Sequence, residues 1–212
     1  MIVDSKILGT WGIARRRAYD WRYGLAAQWR FAMCCAMACL TGVLARVRVP
    51  LPWTPVPLTG QVYAVLLAGV LMGKHYSVIS QVLYVGLGVA GIPWFAGWTS
   101  MSMFGPTGGY LLGFIPAAAL VGWLTDRPVP PSRRRVVVAM FAGVTIVYFC
   151  GSLQFALIMR TGLSATFISA VLPFAPLDAV KAVLAALLAF ALLPGERHPR
   201  SAYSIQAMQR HR

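Results

Sequence analysis

Charge is absent from long stretches of this sequence and gathered between them. Apolar runs occupy about residues 31–45, 58–72, 76–92, 108–124, 136–159 and 169–193. With 58% hydrophobic and 11% charged residues in 212, the chain carries more apolar surface than a water-soluble domain of this size buries. In hydrocarbon each backbone N–H and C=O must be satisfied inside its own segment, so continuous apolar runs of this kind become helices. The pattern predicts an all-α integral membrane protein, a bundle of six transmembrane helices in one domain over residues 31–195. Several runs fall short of the roughly 20 residues that cross a bilayer, and flanking Arg and Trp side chains reach the interface to make up the difference. Residues 1–30, broken by Lys6, Arg15, Arg16, Arg17, Arg22 and Arg30, read as a cytoplasmic or interfacial extension and not as a cleavable signal. Residues 196–212 read as a basic cytoplasmic tail.

The basic residues orient the bundle. Fifteen of the 19 Lys and Arg fall in the N-terminal extension, the turn at 73–75, the connection at 125–135 and the C-terminal tail. The intervening connections hold Arg46, Arg48 and Arg160 alone, and Lys181 lies within a run. Positive charge stays on the cytoplasmic side, so both termini are expected there, after six crossings. The formal net charge of +14 therefore reports orientation and contact with the lipid bilayer. No nucleic-acid partner is expected, because no groove of alternating basic and aromatic residues accompanies the charge. Cys34, Cys35, Cys39 and Cys150 lie in apolar runs without metal-ligand spacing, and His75, His198 and His211 do not cluster, so no metal site is expected. The sequence has no Gly-x-x-x-x-Gly-Lys-[Ser/Thr] loop, no Gly-x-Ser-x-Gly elbow and no His-Glu-x-x-His. Transport or binding is favoured over catalysis, and no catalytic residue is assigned.

Against this apolar background Asp178 and Lys181 stand alone in the last run. A charge at membrane depth costs roughly 2.5–3.5 kcal/mol on insertion scales, and at i, i+3 both side chains leave one helix face about a turn apart. The pair marks a substrate site, an ion path or a structural ion pair. The connections on the side away from the basic termini are also unusual. Residues 46–57 contain Pro50, Pro52, Pro55 and Pro57 and must be extended. Residues 93–107 are uncharged and rich in aromatic side chains, which fits a lid folded back over a cavity or a packing loop without a ligand. Gly105-Pro-Thr-Gly-Gly-Tyr110 opens the fourth run, with Thr107 able to cap and paired glycines allowing close approach. Tyr110 and Gln61 bring polar groups towards the same end, whereas Gln154 fits an interhelical hydrogen bond. In the first run, Ala32 with Ala36 and Ala38 with Gly42 form two small-residue faces suited to helix association.

Three of these motifs resemble those of a known family. Pro50-Leu-Pro-Trp-Thr-Pro-Val-Pro-Leu-Thr-Gly-Gln61 followed by Ala64-Val-Leu-Leu-Ala-Gly69 resembles the second-helix signature of the BioY family, the biotin-specific substrate-binding (S) components of energy-coupling factor (ECF) transporters. Gly105-Pro-Thr-Gly-Gly-Tyr-Leu-Leu-Gly113 is similar to its fourth-helix motif, and Pro176-x-Asp178-x-x-Lys181 to its last. The resemblance implies a biotin pocket near the outer face of a bacterial inner-membrane protein, closed by the loops after the first and third helices. It implies uptake energised by a membrane-embedded coupling subunit and ATP-binding-cassette ATPases, with biotin as transported substrate and no cofactor. Asp178 would accept the ureido N–H groups and Lys181 would meet the valerate carboxylate or the ureido oxygen. Trp94, Phe95, Phe104 and Tyr110 would wall the ring and alkyl chain, and Gln61 would complete the polar set. In the third loop the family's glycine-rich stretch is replaced by Gly97-Trp-Thr-Ser-Met101, where Thr99 and Ser100 are the candidate contacts. The family's Ala-x-x-x-Ala docking motif on the first helix is matched by Ala32 and Ala36, while Ala38 and Gly42 offer a second register. Two alternatives stand beside this reading: a self-sufficient biotin carrier without an ATPase module, and a non-binding membrane scaffold whose Asp–Lys pair is structural.

Overall fold

The computed structural model describes residues 25–97, 100–126 and 131–193. Most of the expected N-terminal extension, Thr99 and the basic tail lie outside the described residues. Helices dominate, as expected, and five are long and apolar enough to cross a membrane. The first, α1, runs Ala27–Leu44. The proline-rich connection after it is extended, and it closes on itself as an antiparallel hairpin of β1 (Arg48–Leu51) and β2 (Thr54–Thr59). This small sheet is the departure from an all-α fold. Two strands tolerate prolines because neither lies between neighbours that need its N–H. Gly60 N–H locks the base of the hairpin by donating to the carbonyls of Leu44 and Val47, each at 3.1 Å.

The longest helix, α2 (Gln61–Val89), is not straight. Gly73 inside it has φ 73° and ψ −177°, outside the helical region. A continuous helix would hold residues 23 positions apart about 35 Å from each other. Yet Gln61 Nε2 donates to the Tyr84 hydroxyl at 2.5 Å across that separation. The chain therefore reverses at Gly73 into two antiparallel legs. Glycine is required there twice over: its φ is one L side chains rarely adopt, and a Cβ would sit 2.4 Å from Asp126 Oδ2.

A 3₁₀ turn (Ser100–Met103) precedes α3 (Gly108–Thr125), followed by α4 (Arg133–Met159). The last apolar run, read above as one segment, is two helices, a short α5 (Leu163–Ala170) and α6 (Ala175–Leu192). Pro173 and Pro176 explain the break, since each lacks an amide hydrogen and restricts the residue before it. Helix α2 packs against α1 and α3, α3 against α4, and α6 against both α4 and α2.

Leu66 and Val70 of α2, Phe114 and Val121 of α3, and Met140 and Val147 of α4 fill the core. Helix α6 meets that core through Ala182, Ala185, Ala186 and Ala189, a ridge at i, i+3, i+4, i+7 that lets its backbone come close. Its other face presents Val180, Val183, Leu184 and Leu187 outward, as a lipid-facing surface requires. The paired glycines at the start of α3 act as expected: a Cβ on Gly109 would lie 2.3 Å from the Cys150 carbonyl oxygen of α4. On α1, Ala38 and Gly42 face inward, Gly42 lying under the Trp94 ring, while Ala32 and Ala36 are exposed.

Replacing Gly73 with alanine is expected to lower thermal stability in detergent by about 1–3 kcal/mol through backbone strain alone, with the clash against Asp126 added. A melting temperature equal to that of the parent protein would show that the reversal does not depend on this glycine.

Candidate functional site: a polar-floored cavity at the hairpin end

Asp178 lies in the first turn of α6, where the positive end of the helix dipole favours a carboxylate. It is only 4% exposed, so its charge must be answered from within the protein. Lys181 Nζ donates to Oδ1 at 2.6 Å, and the Tyr148 hydroxyl of α4 donates to Oδ2 at 2.7 Å. The same Nζ donates to the Thr59 carbonyl at the end of β2, at 2.6 Å. One ammonium and one carboxylate thus join α6, α4 and the hairpin. Each carboxylate oxygen keeps a lone pair and the ammonium keeps a third hydrogen, so the node can still bind a ligand.

A cavity of about 180 Å³ opens directly above this node. The hairpin segment Pro55–Thr59 with Gln61 forms one side, and Ser102, Thr107, Tyr110 and Phe114 form another. Tyr148, Phe174, Asp178 and Lys181 make the floor, Ala96 and Gly97 of the following loop contribute to the roof, and Arg48 stands at the rim. The volume is below the 300 Å³ and more typical of drug-sized ligands, which suits a compact molecule. A second cavity, of about 320 Å³, lies at the opposite end near Arg30, His75, Tyr76 and Asp126, away from the charge pair.

Four of the residues expected from sequence line the cavity together: Asp178, Lys181, Tyr110 and Gln61. Tyr110 supplies a ring wall, while its hydroxyl donates to the Ala170 carbonyl at 2.5 Å and so ties α3 to the end of α5. Trp94 and Phe95 are not in the lining. Phe95 is fully buried against Gly88, and the Trp94 indole donates to the Tyr84 carbonyl at 2.9 Å, so both anchor the loop to α2. Phe104 is 66% exposed, and Ser100 sits in the 3₁₀ turn outside the lining. Thr107 stands at the N-cap of α3, but its hydroxyl donates to the Ser102 carbonyl at 3.0 Å instead of capping the helix. Gln154 does not bridge two long helices; its Nε2 donates to the carbonyls of Met103, the last residue of the 3₁₀ turn, and Gly105 at 3.0 and 2.9 Å, fixing the loop ahead of α3.

Sequence reasoning passed over Tyr148, Arg48, Phe174 and the Thr59 carbonyl. Tyr148 carried a usable signal, a hydroxyl in an apolar run on the same helical face as Gly151. The Thr59 carbonyl carried none, because every residue has one.

A bundle of apolar helices with a cavity between a hairpin and the helix ends defines a multi-pass membrane protein with a candidate small-molecule site. The model of the BioY family matches residues 19–197, and the chain belongs to that family. It is 39% identical over 117 residues to the probable biotin transporter BioY of Lysinibacillus sphaericus, spanning 55% of this chain and 59% of that protein. It is 35% identical over 149 residues to the biotin transporter BioY of Thermotoga maritima, spanning 68% and 85% respectively. The fold is similar to the crystal structure of an S-component for biotin from an ECF-type ABC transporter, with a TM-score of 0.69 at 23% identity, covering 78% of this chain and 92% of that one.

Removing Lys181 alone leaves a buried carboxylate without its counter-charge, so Lys181→Met is expected to cost about 3–5 kcal/mol. The double variant Asp178→Asn with Lys181→Met should recover most of that loss in thermal denaturation. A double variant as unstable as the sum of the two single changes would show that the pair is not energetically coupled.

Proposed function

We propose that this protein is the biotin-binding S component of an ECF uptake transporter, capturing biotin in the cavity at the hairpin end. The observation that carries the reading is the buried Asp178–Lys181–Tyr148 node on a cavity floor, in a member of the BioY family. Biotin offers ureido N–H donors for Asp178, a ureido oxygen for Lys181, and an apolar ring and chain for Tyr110, Phe114 and Phe174. A site built from such groups rejects analogues lacking them, since its own polar atoms would be left unpaired. A non-binding scaffold would have no use for a cavity above its charge pair.

The proposed topology has six crossings, the two legs of α2 each counting as one, with both termini in the cytoplasm of a bacterium and the hairpin outside. It is supported by the reversal at Gly73 and by charge: fifteen of the 19 Lys and Arg, Lys74 at the reversal among them, fall on the side of the termini, against Arg46, Arg48 and Arg160 on the side of the hairpin. Energy would come from ATPase subunits acting through a membrane-embedded coupling subunit, since no phosphate-binding loop occurs in the sequence. Of the two small-residue faces on α1, Ala32 with Ala36 is proposed for docking, because Ala38 and Gly42 are occupied within the chain.

Thermal-shift titration with biotin tests the ligand. At 100 times Kd a ligand adds about 2.7 kcal/mol to the native state, and this shift is expected in the parent protein and not in Asp178→Asn or Lys181→Ala. Folded parent protein that shows no shift would defeat the biotin reading. For docking, Ala32→Leu with Ala36→Leu is expected to abolish biotin uptake in cells while leaving the biotin-induced shift unchanged. Uptake that persists in cells without any energising subunits would favour the self-sufficient carrier.

A further inference from the structure

The cavity holds two cations at different depths, and they are not equivalent. Lys181 is on the floor, with its side chain 14% exposed and its charge already matched by Asp178. Arg48 is at the rim, exposed, on the strand residue directly opposite Thr59. It donates through one guanidinium nitrogen to the Ala96 carbonyl at 2.5 Å. The described residues contain two carboxylates, Asp178 on the floor and Asp126 at the far end beside Gly73. Neither pairs with Arg48, so the positive charge at the rim has no anionic partner within the described protein.

We infer that Arg48 takes the carboxylate of the ligand, so that the molecule enters with its neutral polar ring first and its acid group last. This rests on the biotin reading above and decides between the two roles open to Lys181. A ligand carboxylate on the floor would stand beside Asp178 in a site of low dielectric. Like charges would face each other, and the floor would change from neutral to net negative. A ureido group carries no charge, donates to Asp178 and accepts from Lys181, and so leaves the floor neutral. At the rim, the remaining N–H groups of Arg48 match a carboxylate with two parallel hydrogen bonds. Arg48 already holds Ala96 in the roof, so a carboxylate bound there meets the same side chain that ties the hairpin to the loop. Arg48 is thus a specificity-determining residue for acids over neutral analogues.

The test compares biotin with biotinamide, identical except that the acid is an uncharged amide, by binding titration on the purified full chain. The parent protein is expected to prefer biotin by about 10- to 100-fold, the loss associated with one charge-assisted contact. In Arg48→Gln the preference should fall to near one because biotin weakens, while the retained affinity for biotinamide shows that the protein is folded. Arg48→Lys should keep part of the preference. Lys181→Met should weaken both ligands and leave their ratio intact. A ratio that survives in Arg48→Gln, or that disappears in Lys181→Met and not in Arg48→Gln, overturns the assignment of Arg48. So does a parent protein that binds both ligands equally, although the biotin reading stands in each of these cases. A parent protein that binds neither overturns both.

Discussion

The buried ion pair between Asp178 and Lys181 is the constraint on which the arrangement of the hairpin end depends. A carboxylate taken out of water costs several kcal/mol, and an attraction to one ammonium repays this only if the remaining polar atoms are also satisfied. Here Tyr148 occupies the second carboxylate oxygen and the Thr59 carbonyl takes another ammonium hydrogen. Satisfying the pair therefore fixes the positions of α4 and the hairpin relative to α6. The first turn of α6 is the favoured place for the acid, because the helix dipole adds to its stabilisation there.

Helix α6 divides along its length. Its first turns carry the charge pair and face the cavity, and the following turns present an alanine ridge to the core. The small side chains keep α6 close to α2 and α4, and that closeness brings a three-residue spacing on α6 within reach of a carbonyl on β2. The same principle recurs where Gly109 meets the Cys150 carbonyl of α4. Close backbone approach, possible only with small residues, sets the distances at which polar groups can then bond.

The roof is held by different chemistry. Arg46, just before the hairpin, donates to the Pro93 carbonyl and Arg48 of β1 to that of Ala96, so two side chains grip the uncharged loop. Phe95 and Trp94 anchor that loop from below, against Gly88 and Gly42. Two of the four aromatic residues that looked suited to a ligand wall, Trp94 and Phe95, are thus used to seat the loop, and Phe104 is exposed. Tyr110 lines the cavity as expected, and Phe114 and Phe174 complete the aromatic wall.

Much of this was legible in the chain alone. Apolar runs fixed the helical membrane architecture, because a bilayer admits no other way to satisfy the backbone of a continuous apolar segment. The prolines of residues 50–57 required an extended segment, and the isolation of Asp178 and Lys181 marked a site, because unneeded charge at that depth is too costly to keep. Tertiary structure decided what depends on distances between segments remote in sequence. It set the pairing of Arg48 with Thr59, the bond from Tyr148 to Asp178 across 30 positions, and the burial of Phe95 in place of its exposure to the cavity. It also exposed Ala32 and Ala36 while enclosing Ala38 and Gly42. Spacing along one helix defines its faces, but which face meets a neighbour is settled only when the other helices have packed against it.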